Sequence, residues 1–231
     1  MTTLGVFSLL GDGVEVTVAP LVSDTRIDAS RRETFEYRNI GFDIIAGREV
    51  REAAGRLRPG IAVVPFGTNT TLPAAEQRHI ASGARDGALP AWILQAVRER
   101  RLSHVLLLTR QRSEVRLLTA DNSTIARNRG RVDGLGFYLD AEYKVRDANT
   151  GAVSNGALGP HVLVELTLME TDSAKVVRSH TIDEQFLLGA MESQGAVDPW
   201  SYLSAEQKVT LLREALARAL RRVLPEFFRG L

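Results

Sequence analysis

Residues 142–153 read Glu-Tyr-Lys-Val-Arg-Asp-Ala-Asn-Thr-Gly-Ala-Val, and residues 165–176 read Glu-Leu-Thr-Leu-Met-Glu-Thr-Asp-Ser-Ala-Lys-Val. Each stretch begins with alternating side chains, passes through a short polar turn and returns to apolar residues. Alternation with a period of two is typical of a half-buried strand, and Asn, Asp, Thr and Gly favour the turn that reverses it. The pattern predicts two successive antiparallel hairpins, with returning strands near 152–154 and 175–182.

A long amphipathic helix is predicted after these hairpins, over residues 204–224. Ser204 and Gln207 have the spacing of a capping box, and Pro225 is expected to end the helix. The hairpins offer a surface for its apolar side to cover. That side carries Val209, Leu212, Leu216, Ala219, Leu220 and Val223.

The first half of the chain predicts a βαβ unit. Residues 61–66 and 104–109 are continuous apolar runs, as expected of strands buried on both faces. Helical periodicity and Pro or Gly boundaries place helices between and before them, at 46–58, 73–83 and 89–101. The crossover between such strands should be right-handed.

Other segments carry weaker signals. Apolar runs at 4–10 and 14–19 flank Gly11-Asp12-Gly13, which predicts a hairpin because Asp-Gly favours a tight turn. Residues 115–118 are expected to pair back on the strand at 104–109. Irregular structure is predicted on composition for three further segments, namely 23–41, 119–134 and the exposed loop at 154–160.

Together these elements predict one α/β or α+β domain over residues 1–231, with a mixed β-sheet. Its core would be the βαβ unit, its second half antiparallel hairpins, and its last element the amphipathic helix packed on the sheet.

Composition excludes several kinds of protein. The 231 residues are 44% hydrophobic and 25% charged, with a net charge of +1, so no long-range field attracts nucleic acid. Arg127, Arg129 and Arg131 alternate without interleaved aromatics for base stacking, and nucleic-acid binding is not expected. There is no cysteine, which excludes disulfides, and no apolar run long enough to span a membrane.

The first residues, Met-Thr-Thr-Leu-Gly-Val-Phe-Ser-Leu-Leu-Gly, lack a basic leading region and a small-residue cleavage site. They predict a first strand rather than a secretory signal. The compartment therefore stays open at this point: periplasm or cell envelope if a signal peptide has been removed, and cytoplasm otherwise.

The order of elements resembles a small α/β domain of bacterial envelope proteins, namely the TolB amino-terminal domain and CsgG-like curli-secretion lipoproteins. The resemblance implies a non-enzymatic role in the envelope, through protein–protein contacts, assembly or regulation of a secretion or wall-building machine. In that family the domain opens on a strand of the type Ala-Leu-Pro-Phe, whereas here the first strand is Val6-Phe-Ser-Leu-Leu10 and the similar run comes later. The resembling segments are Ile61–Phe66, His104–Thr109, Asp147–Gly151, Val162–Leu168 and the helix at 204–224.

A second resemblance concerns catalysis. Phe7-Ser-Leu-Leu-Gly-Asp12 resembles the first block of GDSL-type hydrolases, and Gly67-Thr68-Asn69 their later Gly-x-Asn block. In those enzymes a serine follows Gly-Asp and attacks the ester, but here Gly13 stands in that position and carries no nucleophile. Asn69 would remain as an oxyanion donor with nothing to assist. The residues favour a protein without catalytic activity.

No cofactor or metal motif is found. The four histidines, at 79, 104, 161 and 180, lack the local spacing of a two-histidine metal site, and a capping or surface role is favoured for each. Ligands of α/β sheets bind at the carboxyl ends of parallel strands. If the strands at 61–66 and 104–109 are neighbours, Asp12, Thr68, Asn69 and Arg110 are the candidate ligand-binding residues.

The sequence therefore predicts a non-catalytic envelope interaction or assembly module, with a protein partner or self-association through exposed strand edges. The alternatives are a hydrolase with a degenerate GDSL-type site and a small-ligand-binding protein.

Overall fold

The computed structural model describes residues 2–19, 31–36, 40–67, 72–118, 124–146, 153–188 and 199–229. The helices are α1 (Phe42–Leu57), α2 (Ala74–Arg85), α3 (Ala91–Arg100) and α4 (Ala205–Phe228), with a short 3-10 helix at Pro199–Tyr202. The strands are β1 (Thr3–Ser8), β2 (Gly13–Val18), β3 (Arg31–Glu36), β4 (Ala62–Gly67), β5 (His104–Arg110), β6 (Arg112–Leu118), β7 (Thr124–Asp133), β8 (Leu135–Arg146), β9 (Val153–Glu170) and β10 (Lys175–Gln185).

The main sheet is mixed. Its strand order is β3-β2-β8-β9-β5-β1-β4, with β10 on the other side of β9. β1 lies between β4 and β5 and runs parallel to both, whereas β8, β9 and β10 are successively antiparallel. β6 and β7 form a separate two-stranded sheet. The predicted mixed α/β fold, its βαβ core and its two antiparallel hairpins are confirmed.

The 18-residue strand β9 organises the sheet. β5 pairs with its later half, where Arg110 is opposite Val164, and β8 pairs with its earlier half, where Leu135 is opposite Val162. β10 pairs with residues 161–170 on the opposite edge of β9. β5 and β8 therefore lie end to end along one edge of β9. The β6–β7 hairpin leaves the sheet between them. β1 pairs with β5 and β2 pairs with β8. β1 and β2 therefore also lie end to end, one strand further from β9.

Helices cover both faces of the sheet, because its central strands are apolar on both. Leu106 and Leu108 of β5 belong to the core cluster that α1 and α4 cover. Val105 and Leu107 point to the opposite cluster, which includes Ile80 of α2 and Ile93 of α3. The helices predicted at 46–58, 73–83 and 89–101 are confirmed with shifted ends. No helix in the described ranges has both the length and the apolar character that a membrane crossing needs.

The hairpin predicted around Gly11-Asp12-Gly13 is wrong. β1 already has β4 and β5 on its two edges, so neither edge is left for β2. Instead, β2 pairs with β3 and β8, and the link between β1 and β2 carries the chain onward along the sheet. Asp12 holds this link by accepting a hydrogen bond from the backbone N–H of Gly41 at 2.8 Å.

The loop predicted at 154–160 is also wrong, because these residues belong to β9 and residues 156–160 are buried. Glycine and proline suggested a loop, but Pro160 lies in the strand and its carbonyl accepts from the N–H of Phe186. Leu158 pairs with Leu188 beyond the end of β10. Backbone partners on both sides hold a segment whose composition alone disfavours a strand.

Two segments predicted to be irregular contain strands: β3 lies within 23–41 and β7 within 119–134. β6 pairs with β7, not with β5 as predicted for residues 115–118. The small β6–β7 sheet is held to the main sheet by a third apolar cluster that includes Val115, Val132 and Tyr138. Residues 23–30, 37–39 and 119–123, and the turn at 147–152, lie outside the described residues.

The final helix packs on the sheet as predicted, with Leu212 and Leu216 fully buried. It does not end at Pro225, which lies inside α4. Phe227 and Phe228 are 2% and 1% exposed, and the burial of these two rings holds the last turn beyond the proline.

We expect Ser204→Ala to lower the free energy of unfolding by about 1 kcal/mol, because it removes one half of the capping box. Ser204 Oγ accepts the N–H of Gln207 at 3.2 Å, and Gln207 Oε1 accepts the N–H of Ser204 at 2.8 Å. Urea unfolding followed by circular dichroism measures the change. Ser204→Asp keeps the acceptor and should retain most of the stability; equal losses in both variants would contradict a capping role.

Candidate functional site

The carboxyl ends of β1, β4 and β5 lie at one edge of the parallel part of the sheet, next to the first residues of β2 and β8. Arg110, the last residue of β5, lies there and is 6% exposed. Its Nε donates to the carbonyl of Leu10 at 2.7 Å, and its Nη2 to the carbonyl of Gly13 at 2.6 Å. The guanidinium therefore bridges the two ends of the link between β1 and β2.

Gly134 makes room for Arg110. Its φ is +59°, in the left-handed region that favours glycine, and a Cβ there would lie 2.7 Å from Cδ of Arg110. The β7–β8 junction thus packs closely against the aliphatic part of the Arg110 side chain.

Four carboxylates surround this cation: Asp12, Glu15, Asp43 and Asp133 all interact electrostatically with Arg110. Burial lowers the pKa of Arg110 to about 10, against the opposing effect of these acids. Burial raises the pKa of Glu15 to about 7, helped by the neighbouring charge of Asp133. Burial likewise raises the pKa of Asp133 above its usual value, against the arginines around it.

Of the four residues predicted from the sequence, the structure brings Asp12 and Arg110 to the same junction. Thr68 and Asn69 lie outside the described residues. The premise that 61–66 and 104–109 are neighbours is wrong, since β1 lies between β4 and β5.

His161 was expected to cap or lie on the surface, but it is 1% exposed. Its Nε2 lies 3.2 Å from the carbonyl oxygen of Asp133, to which it can donate a hydrogen bond. Burial lowers its pKa to about 4, which favours a neutral ring at neutral pH.

A second polar pair, missed in the sequence, lies beside this junction. Ser8 at the end of β1 donates its hydroxyl to the carboxylate of Asp43 in the first turn of α1. The same carboxylate accepts the N–H groups of Leu10 at 3.0 Å and Gly11 at 3.3 Å. Burial nevertheless raises the pKa of Asp43. The available signal was the acidic residue two positions after Gly41, where a helix can begin.

This pair lies at the base of a cleft of about 430 Å³ between α1 and the ends of β1 and β4. Ile44, 77% exposed, borders it on the apolar side, and Arg48 and Arg51 border it on the basic side. Such a lining can hold a small molecule with one apolar and one anionic part. Its other lining residues are Val6, Gly47, Pro65, Phe66 and Gly67.

None of the four histidines, all within the described ranges, hydrogen-bonds to Ser8 or Asp43. The hydroxyl of Ser8 therefore has the carboxylate of Asp43 as its acceptor, in the place of the histidine that commonly activates a serine nucleophile. The described residues also contain no group of three or more His, Asp or Glu that could hold a metal ion.

Glu15→Gln should change the pH dependence of stability. The folded pKa of about 7 exceeds the ordinary glutamate pKa of 4.5, so between these pH values the folded protein holds a proton that the unfolded chain has released. The stability contributed by protonated Glu15 is complete below the unfolded pKa and is lost as pH rises through the folded pKa. The stability of Glu15→Gln relative to the wild type should therefore rise between these limits, by up to about 3 kcal/mol.

Urea unfolding at pH values from 4.5 to 8 measures this difference. Glu52→Gln is the control, because the Glu52 side chain is 56% exposed. If the Glu15→Gln and wild-type profiles run parallel, Glu15 does not titrate with a raised pKa.

Comparison with known proteins identifies no family: no protein-family model matches the chain, and no curated protein matches it. Among solved structures, it is similar to a neuraminyllactose-binding hemagglutinin homolog from Helicobacter pylori, with 10% identity and a TM-score of 0.36 over 100% of this chain and 83% of that one. It is also similar to a DUF330 protein from Xanthomonas campestris, with 9% identity and a TM-score of 0.31 over 99% of this chain and 85% of that one. At these scores neither likeness bears on function.

Proposed function

We propose that the protein is a non-catalytic interaction module of a bacterial cell envelope, which binds another protein along strand β10. The observation that carries the proposal is the outer edge of β10, since this 11-residue strand pairs only with β9 in the described part of the chain. Its residues 177–179 and 181 are exposed, and a partner strand could add to the edge through backbone hydrogen bonds.

The edge also has features that limit unspecific pairing. The register shifts between Val176 and Arg178, which indicates a bulge, and Lys175 and Arg178 place positive charges along the strand. Bulges and charges on edge strands oppose aggregation with arbitrary strands. A partner strand would need a matching bulge position, which favours specific binding.

The polar groups of the sheet junction support a role other than catalysis. Arg110 and Asp43 are each occupied by several contacts within the protein. These contacts fix the course of the chain between β1 and β2, so the charged groups of Arg110 and Asp43 have a structural role. The envelope location is proposed from the sequence resemblance to TolB and CsgG-like domains alone.

Site-specific photo-crosslinking together with cell fractionation tests the proposal. A photoreactive residue at Val177 should give a discrete adduct with another protein in the envelope fraction of the native organism. Leu94 on α3 is the matched control, because both side chains are 41% exposed. A native protein confined to the cytosol, or the same adducts from both positions, would rule against an envelope partner bound at β10.

A second candidate function is small-ligand binding in the cleft beside Ser8 and Asp43. The exposure of Ile44 next to two arginines favours it, since an amphipathic carboxylate would cover the apolar side chain and pair with a guanidinium. Octanoate should raise the melting temperature of the wild type but not of Ile44→Asp. Equal shifts in the two proteins would exclude this cleft as the binding site.

The hydrolase alternative, built around Asp12 and Asn69, has a direct assay. Turnover of p-nitrophenyl acetate by the wild type, abolished in Asn69→Ala, would support it. Absence of turnover would remove this alternative and leave the interaction module and the small-ligand-binding protein.

A further inference from the structure

A groove of about 540 Å³ runs between α1 and α4 on the outer side of the helical layer. On α4 it extends from Thr210 to Arg221, which corresponds to about 16 Å of helix. Ile45 and Ala217, 3% and 7% exposed, form its floor. Its walls are unusually basic, with Arg48, Arg213, Arg218 and Arg221 against the single acid Glu214.

Two of these arginines share one buried carboxylate. Arg221 binds Glu49 with two hydrogen bonds, from Nε at 2.7 Å and from Nη2 at 2.8 Å, and Arg48 Nη2 adds a third at 2.9 Å. Hydrogen bonds from Arg221 lower the pKa of Glu49, which keeps it ionised. Arg48 Nε also lies 3.9 Å from Oε1 of Glu52. Glu49 and Glu52 together therefore offset the charges of Arg48 and Arg221.

The net positive charge of the groove comes from the other two arginines. Arg213 and Arg218 are exposed, and within the described ranges neither forms a salt bridge. The guanidinium of Arg218 lies 6.0 Å from the ring centroid of Phe186, at the outer limit of a cation–π contact. Both side chains are available to pair with an external anion.

We propose that this groove binds an acidic peptide segment of a partner protein, with Asp or Glu side chains taken up by the guanidinium groups. Arginine forks recognise carboxylates bidentately. Arg213, Arg218 and Arg221 lie along about two turns of α4, with Arg48 on α1 across the groove, and this spacing suits several carboxylates better than one isolated anion. The groove is concave between two helices, which a flat anionic bilayer does not enter as readily as a peptide does. The proposal rests on the proposed function only in that the ligand belongs to a protein.

Fluorescence anisotropy with a fluorescein-labelled peptide of eight glutamates tests the proposal on the full chain. We expect Arg213→Ala/Arg218→Ala to raise the Kd about tenfold, which corresponds to about 1.4 kcal/mol, while leaving the Glu49 cluster and the fold intact. Arg98→Ala/Arg100→Ala removes the same charge from α3, outside the groove, and should change the Kd less than twofold. Binding should weaken as salt is raised.

Three results would overturn the proposal: no binding to the wild type, equal losses in the two double variants, and binding of phosphatidylglycerol vesicles through Arg213 and Arg218 without peptide binding. The last would assign the groove to a membrane surface instead. Because the peptide assay involves neither β10 nor the compartment, it can fail while the crosslink at Val177 succeeds, and the reverse.

Discussion

Arg110→Met should lower the free energy of unfolding by about 3–5 kcal/mol at pH 7, the cost typical of removing one partner from a buried charge cluster. Two effects add. The carbonyls of Leu10 and Gly13 lose the donors that reach them at 2.7 and 2.6 Å, and the surrounding carboxylates lose their buried cation. Urea unfolding monitored by circular dichroism gives the value.

The loss of unfolding free energy in Arg110→Met should be smaller at pH 5. Glu15, with a pKa of about 7, is protonated at that pH, and a neutral carboxyl group is not destabilised by the absence of the guanidinium. Arg110→Lys keeps the charge but loses the fork, and should fall between the wild type and Arg110→Met. Arg78→Met is the control: its side chain is 41% exposed in its salt bridge with Asp133, so it should cost less than about 1 kcal/mol. Equal costs for Arg78→Met and Arg110→Met would contradict the role assigned to burial.

Leu216→Ala is expected to cost about 2–5 kcal/mol, since truncating a buried leucine loses its transfer free energy and leaves a cavity. Leu216 is 0% exposed and belongs to the core cluster between α4, α1 and the sheet. The same unfolding experiment measures the change.

Leu94→Ala makes the identical truncation on a helix where the side chain is 41% exposed. Its effect should stay within about 0.5 kcal/mol, as for most surface substitutions. If the two leucines cost the same, α4 does not cover the sheet in the way described above.

The second half of the fold was predictable because its signals are regular. Alternating side chains at 142–146 and 165–170 lie in β8 and β9, and the apolar side of α4 faces the sheet. A periodic pattern predicts both the type of element and the face that it buries. The predictions for neighbouring elements are therefore consistent with one arrangement.

The errors arose where long-range pairing decides the structure. Gly11-Asp12-Gly13 favours a hairpin locally, but β5 and β4 occupy both edges of β1. Pro160 and its neighbouring glycines disfavour a strand locally, but β8 and the segment after β10 hold them on two sides. The strands that pair with these two segments come from other parts of the chain, and the local turn propensity contains no information about them.

The candidate site was predicted only in part for the same reason. Arg110 follows from the rule that ligands gather at the carboxyl ends of parallel strands, whereas Asp12 was named from its resemblance to the first GDSL-type block. Glu15 was not identified, because alternation in a two-stranded hairpin would have placed it in solvent. Its burial depends on β8 approaching β2 so closely that a Cβ on Gly136 would lie 1.9 Å from the carbonyl oxygen of Glu15.

The length of β9 has a consequence for biosynthesis. β5 pairs with β1 and β8 with β2 on one edge, but both need β9 for the other edge. β9 ends only at Glu170, well after β5 has left the ribosome. At typical translation rates of about 5–20 residues per second, the free edge of β5 waits roughly 3–12 s for that partner. During this interval the apolar N-terminal half is open to aggregation, so we expect the nascent chain to require a chaperone until β9 emerges.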